Sequence, residues 1–517
     1  MPPCEMANAC TQPHKTMYTH LAATRMYTYR MLWLDMILPE PDRDSGSVRT
    51  LVILKILLAL RVHVSIVTMQ RSGKGRHERY TRLLQYMGAH VIPSFSMMRA
   101  FTLREPYDFV VVARRDTFAA VRDVLHRHYP NTLLVFDTVD LHFLREAARA
   151  AFVAAHHNDT ALLSAVFGAS LRKHTNASEQ ARLREIELDA VSACAVAVVV
   201  SEEERTLLAS EVRASGREPV KVQVVANAHE PEPRTRTAFA QRRGLVFVGN
   251  FNHLPNRDAV LHFATEVLPR LVSLPRVRDD PGFVFHVVGA NALPASILAL
   301  NGSTFGGLHE RVRVHGYVPQ LRPLFSRMRL SVAPLRWGAG VKGKVNSAHQ
   351  LGVPVVCTSI AVSGMHATDG KDVLLADSPA EMAAAVMAAY YNATTWHRLM
   401  WGGRQLLASR FSASRAAAGV LEVLALLRET NTLMGMKSLA ITDARPRIYS
   451  DLRAAASLGG YHFNWSRLEG HLEISDEVVP HDRPCEAAPA GSRGGSVHET
   501  SPNSGYFLER IAASTPS

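Results

Sequence analysis

Short apolar runs alternate along this chain with longer amphipathic stretches, a pattern that predicts parallel β/α units. In the first half the expected strands are MLWLDMIL (31–38), VHVSIV (62–67), YDFVVV (107–112), TLLVF (132–136), AVAVVV (195–200) and VQVV (222–225). Ser47 is the expected N-cap of a helix running to Leu60, and Ser201, followed by Glu202, Glu203 and Glu204, opens another. The polar, proline-bearing stretch HEPEPRTRTAFAQRR (229–243) interrupts the pattern and reads as a linker. A second series follows: LVFVG (245–249), FVFHVVG (283–289), VRVHG (312–316), LSVAP (330–334), VPVVC (353–357) and DVLLA (372–376). Strands that are apolar throughout belong to sheets covered on both faces. The expectation is an α/β chain of two doubly wound halves with a cleft between them, each binding ligands where strand C-termini face that cleft.

The expected organisation is an N-terminal extension (1–30), a first domain (31–228), the linker (229–243), a second domain (244–428) and a tail (429–517). The tail is expected to be partly disordered because 486–505 is rich in Ser, Gly, Pro and Ala. A length of 517 residues suits two cores better than one. The 47% hydrophobic and 20% charged content is that of a globular protein.

The formal net charge of +12 raises a nucleic-acid partner, but the basic residues are scattered Arg without a Lys/Arg block, so none is expected. A positive groove also suits a nucleotide diphosphate. The apolar stretch 51–67 is broken by Lys55, Arg61 and His63 and reads as a helix followed by a strand, not a membrane span. That leaves room for peripheral membrane contact only. Five dispersed cysteines without a C-x-x-C imply neither zinc nor a disulfide framework, and Cys194 and Cys357 read as small core residues. The expected location is cytoplasmic, or an organelle if the basic first 30 residues act as a targeting peptide.

The candidate chemistry centres on PLRWGAGVKGKVNSAHQLGVPVV (334–356). A strand ends near Pro334, a loop with Gly338, Gly340 and Gly343 follows, and helical periodicity resumes until Gly352. Glycines admit an anion close to the backbone, helix-start N–H groups supply donors, and Lys342 and Lys344 add point charges. The bland alternative is a flexible turn with two solvated lysines. After the first strand of each half come two further candidate loops. ILPEPDRDSGSVRTL (37–51) carries Gly46 and Arg49, and FNHLPN (251–256) follows Asn250 and includes Asn252. Asp42 and Asp44 form a lone D-x-D that reads as loop-stabilising before metal-binding. FDTVDLHFLRE (136–146) clusters Asp137, Asp140, His142 and Glu146 after another strand.

These pieces resemble, in order and spacing, the group 1 (family 4) glycosyltransferases across about residues 31 to 428. The segments that carry the resemblance are PEPDRDSGSVR (39–49), FVGNFNHLPNRDAV (247–260), HGYVPQLRPLFSRMRLSVAPL (315–335), the 338–356 region and DGKDVLLADSPAEMAAAV (369–386). The resemblance implies two Rossmann-like domains facing a cleft (the GT-B fold). It implies transfer of a sugar from a nucleotide-sugar donor to an acceptor the sequence does not identify, with retention, without a metal and without a cofactor beyond the donor. It places His142, and secondarily Asp137, at the transferred sugar. It assigns Gly46, Arg49, Asn250, Asn252, Gly338, Gly340, Lys342, Lys344 and Ser347 to the donor.

Two positions depart from the family pattern: Ser347 and Ala339 stand where it carries glutamates, the first of which holds the donor ribose. They motivate an alternative reading, a catalytically impaired sugar-nucleotide-binding protein on the same fold. A nucleotide-sugar epimerase also stays open, whereas the absence of G-x-G-x-x-G after either first strand argues against a dinucleotide oxidoreductase.

Overall fold

The computed structural model describes residues 29–433 apart from 74, 94–106, 169–176, 234–236, 292 and 301–310. The N-terminal extension up to residue 28 and the tail beyond 433, including 486–505, lie outside the described residues.

The first half is a seven-stranded parallel sheet. Its strands are β1 (Tyr29–Asp35), β2 (Val62–Thr68), β3 (His90–Val91), β4 (Phe109–Ala113), β5 (Leu133–Asp137), β6 (Val196–Val199) and β7 (Lys221–Val224). The second is a six-stranded sheet of β8 (Leu245–Asn250), β9 (Phe285–Ala290), β10 (Val312–Gly316), β11 (Leu330–Ala333), β12 (Val355–Cys357) and β13 (Leu374–Leu375). Spatial order is β3-β2-β1-β4-β5-β6-β7 in the first and β10-β9-β8-β11-β12-β13 in the second. Both are doubly wound, and each reverses direction beside its own first strand: between β1 and β4, and between β8 and β11. Open α/β sheets bind ligands at such reversals, outside the strand C-termini. All twelve expected strands are present. The thirteenth, β3, is a two-residue edge too short to leave a sequence pattern, and its pairing comes from Ser65 and Ile66 of β2.

The helices that position the site are α1 (Ser45–Ala59), α2 (Arg76–Tyr86), α3 (Arg115–His128), α4 (His142–Ala155), α5 (Thr160–Phe167), α6 (Ala177–Ser192), α7 (Glu202–Ala214), α8 (Leu254–His262), α9 (Gly343–Gln350), α10 (Pro379–Tyr390), α11 (Ala393–Arg410) and α12 (Ala413–Leu433). The stretch 51–67 divides as expected: α1 stops at Ala59, Arg61 turns the chain at a positive φ of 57°, and β2 begins at Val62. Its cap is not the expected Ser47. Asp44 caps α1, its carboxylate accepting the Ser47 N–H at 2.9 Å, because a charged acceptor three residues earlier meets the first-turn donors and the dipole together. Ser201 caps α7 as expected, its Oγ accepting from Glu204 N at 3.1 Å.

Helix α12 runs through the boundary expected at 428 and packs against α1, β6 and β7, so the chain ends its described course on the first sheet. The linker is also stitched in. His229 N donates to Phe411 O at 2.7 Å, and the buried Arg242 donates to Phe325 O and Met328 O, each at 3.1 Å. Cys194 and Cys357 are buried free thiols whose pKa burial pushes up, which keeps them neutral core residues. No helix among the described residues is long and apolar enough to cross a membrane.

The two halves share apolar contact. Phe152 of α4 and Phe167 of α5 stack on Trp337 of the β11–α9 loop, with ring centroids 5.4 and 5.9 Å apart. Asp42 accepts hydroxyls from Tyr80 of the first half and Tyr317 of the second, and Arg43 donates to Asn291 Oδ1 at 3.1 Å. Asp42 and Asp44 thus act as acceptors within and between loops.

Candidate active site

The site lies where the N-termini of α1 and α9 meet across the two halves. Gly343 opens α9, and a Cβ there would overlap Cβ of Ser45, the first residue of α1. Only glycine lets the two loops approach this closely. Gly338 and Gly340 are needed for a second reason: φ values of 138° and 71° hold backbone conformations that other residues rarely adopt. A Cβ on Gly340 would sit 3.0 Å from Asp140 Cβ, so the loop also presses against the β5–α4 turn. Gly46 lies under the same junction, its missing Cβ facing Asp44, Val139 and Arg114.

The lysines are held in an unusual way. Lys342 Nζ donates to Gly340 O at 2.5 Å, and Lys344 Nζ donates to Asn256 Oδ1 at 2.7 Å and stands 5.3 Å from the centroid of the Phe247 ring. Neither makes an ion pair with any described residue. Burial lowers the Lys342 ammonium to about 8 against the pull of Asp140 and Glu204. Burial, with the charge of Lys342 added, lowers Lys344 to about 7. Two neighbouring cations without a carboxylate in ion-pair contact, beside a helix N-terminus that has no side-chain cap, form a site suited to an anion, with Asp140 and Glu204 acting on Lys342 only from beyond contact distance.

The second-half asparagines build the wall of this site. Asn250 Oδ1 accepts from Asn252 N at 2.9 Å and from Asn291 Nδ2 at 2.8 Å. Asn256, buried on α8, donates to Asn250 O at 2.7 Å while its carbonyl holds Lys344. Asn250 therefore braces the loop, and the exposed Asn252 stands at its rim. Ser347 lies on α9, partly exposed; two buried neighbours on the same helix, Asn346 and His349, leave their side-chain N and O atoms without hydrogen-bond partners.

In the first half, Arg49 and Asp137, expected as separate donor-side and catalytic groups, are held against each other. Arg49 Nη1 donates to both carboxylate oxygens at 2.9 and 2.7 Å, Arg49 Nε donates to Val225 O, and the residues are 1% and 2% exposed. With both charges spent in one buried pair, they brace the ends of β5 and β7 instead of facing a ligand. Arg114 does the same for β1, pairing with Asp35 at 2.5 and 2.6 Å from a positive φ of 73°.

His142 begins α4 and is 3% exposed. Its backbone N–H donates to Glu187 Oε1 at 2.9 Å, so a carboxylate from α6 caps this helix. Its Nε2 lies 3.4 Å from Asp140 Oδ1, and its Nδ1 has no partner. Burial opposes ionisation of Asp140, but Arg145 and His142 hold its carboxyl well below the usual range. The β5–α4 turn therefore presents a fixed anion, Asp140, against Gly340, with the His142 imidazole held beside that carboxylate.

Glu204, 5% exposed, completes this wall. Its place in the first turn of α7 points only to a helix-dipole role; what it faces is Gly340, a contact between distant parts of the chain that no local pattern encodes.

The comparisons agree with this architecture. Residues 242–392 match the family described as glycosyl transferases group 1. No curated protein sequence matches the chain. Among solved structures, sucrose-phosphate synthase from Thermosynechococcus elongatus superposes with a TM-score of 0.53 at 14% identity over 78% of this chain and 100% of that one. Anabaena HepE, solved in complex with UDP-glucose, gives 0.51 at 13% identity over 77% and 99%. Staphylococcus aureus TarM, in complex with fondaparinux, alpha-GlcNAc-glycerol and UDP, gives 0.54 at 9% identity over 77% and 99%. These likenesses establish the shared fold, two parallel doubly wound sheets. Residues 242–392 thus resemble the group 1 glycosyl transferases, and the chain as a whole shares the two-sheet GT-B fold of these structures.

Proposed function

We propose that the chain transfers a sugar from a nucleotide-sugar donor whose diphosphate sits between the N-termini of α1 and α9. One observation carries the reading: Lys342 and Lys344 are paired with no carboxylate, beside an uncapped helix start at the C-terminal side of the β8/β11 reversal. A diphosphate supplies the charge that is missing. As the glycosidic bond breaks, negative charge grows on the departing diphosphate, and fixed ammonium and N–H donors stabilise it without needing a metal. Gly46 keeps the α1 loop close enough to join this cradle. Asn250, Asn252 and Asn256 hold the opposite wall, and Ser347 faces the nucleoside end. Asp137 and Arg49 serve as the buried brace beneath, and His142 is the group nearest the transferred sugar. Closure of the halves excludes water and suppresses donor hydrolysis. Retention follows the family likeness.

The short, neutral Ser347 favours one second reading, donor binding without turnover. Calorimetry with UDP, GDP and their glucose, N-acetylglucosamine and mannose conjugates, followed by nucleotide release with mixed acceptors, separates the two. Release supports the transferase; binding of a sugar nucleotide with no release from any pairing supports the binding protein.

A further inference from the structure

We infer that Glu204 of α7, with His142, forms a hydroxyl-recognising subsite that grips the sugar of the donor beside Gly340. This rests on the donor-site reading above. The loop itself offers only Ala339 between its glycines, so polar recognition has to come from the facing half. The Gly340 Cβ position lies 3.9 Å from Glu204 Oε1 and 3.0 Å from Asp140 Cβ, which places the first turn of α7 and the β5–α4 turn side by side against the loop.

Glu204 Oε1 on this wall, and Nδ1 of His142 beside Asp140, are buried atoms without a close hydrogen-bond partner, although the Leu141 backbone also stabilises the Glu204 carboxylate. Glu204 is otherwise anchored. Its Oε2 accepts from Val200 N at 3.3 Å and its N–H donates to Ser201 Oγ. The start of α7 is itself clamped to the second half, since Gly364 has room only for hydrogen against Ser201 and Ser363 Oγ donates to Glu203 Oε2 at 3.3 Å. A buried donor or acceptor left unmade is costly, and a ligand that pairs with it recovers that cost.

Polarity then decides which part of the ligand fits. The carboxylate of Asp140 repels phosphate from this end, while Lys344, whose ammonium feels neither Asp140 nor Glu204, attracts it to the other. Hydroxyl groups, which donate and accept, match a carboxyl oxygen on this wall and the imidazole nitrogen next to Asp140. Burial and the charge of Asp140 raise the Glu204 carboxyl to about 7, so the acid can itself donate to a sugar oxygen.

The test compares wild type, Glu204→Gln and Glu204→Leu by calorimetry. The probes are UDP, GDP and their glucose, N-acetylglucosamine and mannose conjugates, and thermal unfolding confirms that each variant folds. For Glu204→Leu the nucleoside diphosphate should bind within twofold of wild type while the tightest sugar nucleotide weakens at least tenfold. Glu204→Gln, whose amide still donates and accepts, should stay within about threefold for both. Equal weakening of nucleotide and sugar nucleotide, or no weakening of either, overturns the subsite. If the wild-type protein binds none of the nucleotides, the donor-site reading falls and takes this inference with it.

Discussion

Replacing Lys344 by Met should make the unliganded protein more stable while abolishing tight diphosphate binding. The ammonium of Lys344 moves from an ordinary 10.5 to about 7 on folding, because burial and Lys342 both disfavour its charge. Its folded pKa lies below its unfolded one, so between those values the unfolded chain binds more protons. The lysine therefore costs stability fully below pH 7, and the cost fades as pH rises towards 10.5. At 1.36 kcal/mol per pH unit the cost is about 4 kcal/mol at pH 7 and about 2 kcal/mol at pH 9. Methionine removes this cost and keeps the stem against Phe247. It leaves Asn256 Oδ1 without its donor, a loss of about 1 to 2 kcal/mol. The net gain is about 2 to 3 kcal/mol at pH 7 and close to zero at pH 9. Differential scanning fluorimetry at the two pH values should show the variant melting a few degrees above wild type at pH 7 and converging with it at pH 9. A variant that melts below wild type at pH 7, or a gap that does not narrow, refutes the reasoning.

Other changes probe different parts of the site. In wild type an incoming diphosphate should raise both lysines, so sugar-nucleotide affinity should fall as pH rises from 7 to 9, with proton uptake seen as a buffer-dependent calorimetric enthalpy; a constant affinity and no uptake would contradict this. Gly343→Ala places a methyl where Ser45 stands and should prop the halves apart, lowering kcat at least tenfold with little change in melting temperature; unchanged turnover would show that the close approach is dispensable. Asp137→Asn leaves the buried Arg49 without its counter-charge and should destabilise by about 3 to 5 kcal/mol in urea unfolding, an effect that would be absent if the pair were solvated. Trp337→Ala removes the ring that Phe152 and Phe167 stack on and should cost about 3 to 5 kcal/mol by the same measurement; a cost under 1 kcal/mol would mean the stack carries no weight.

What was legible in the sequence follows from how local each signal is. Parallel strands covered on both faces read as unbroken apolar runs, so β1, β4 and β11 were visible, whereas His90–Val91 is a strand only because β2 pairs with it. The glycine and lysine loop was legible because its residue types are rare in combination and adjacent in sequence. Arg49, early in α1, and Asp137, at the end of β5, lie far apart in sequence, and their mutual pairing depends on how α1 packs against the sheet, which neither segment encodes. Glu204 shows the same limit. Three consecutive acids at a helix start look interchangeable, and only the fold selects the third to face Gly340.

The central claim is the position of the diphosphate, and a crystal structure of the protein with UDP or GDP bound tests it most directly. The predicted result has phosphate oxygens within hydrogen-bonding distance of Lys342 Nζ, Lys344 Nζ and the first-turn N–H groups of α9, with Gly46 opposite. A nucleotide bound with its phosphates away from this loop, and both lysines still on Gly340 O and Asn256 Oδ1, would contradict it.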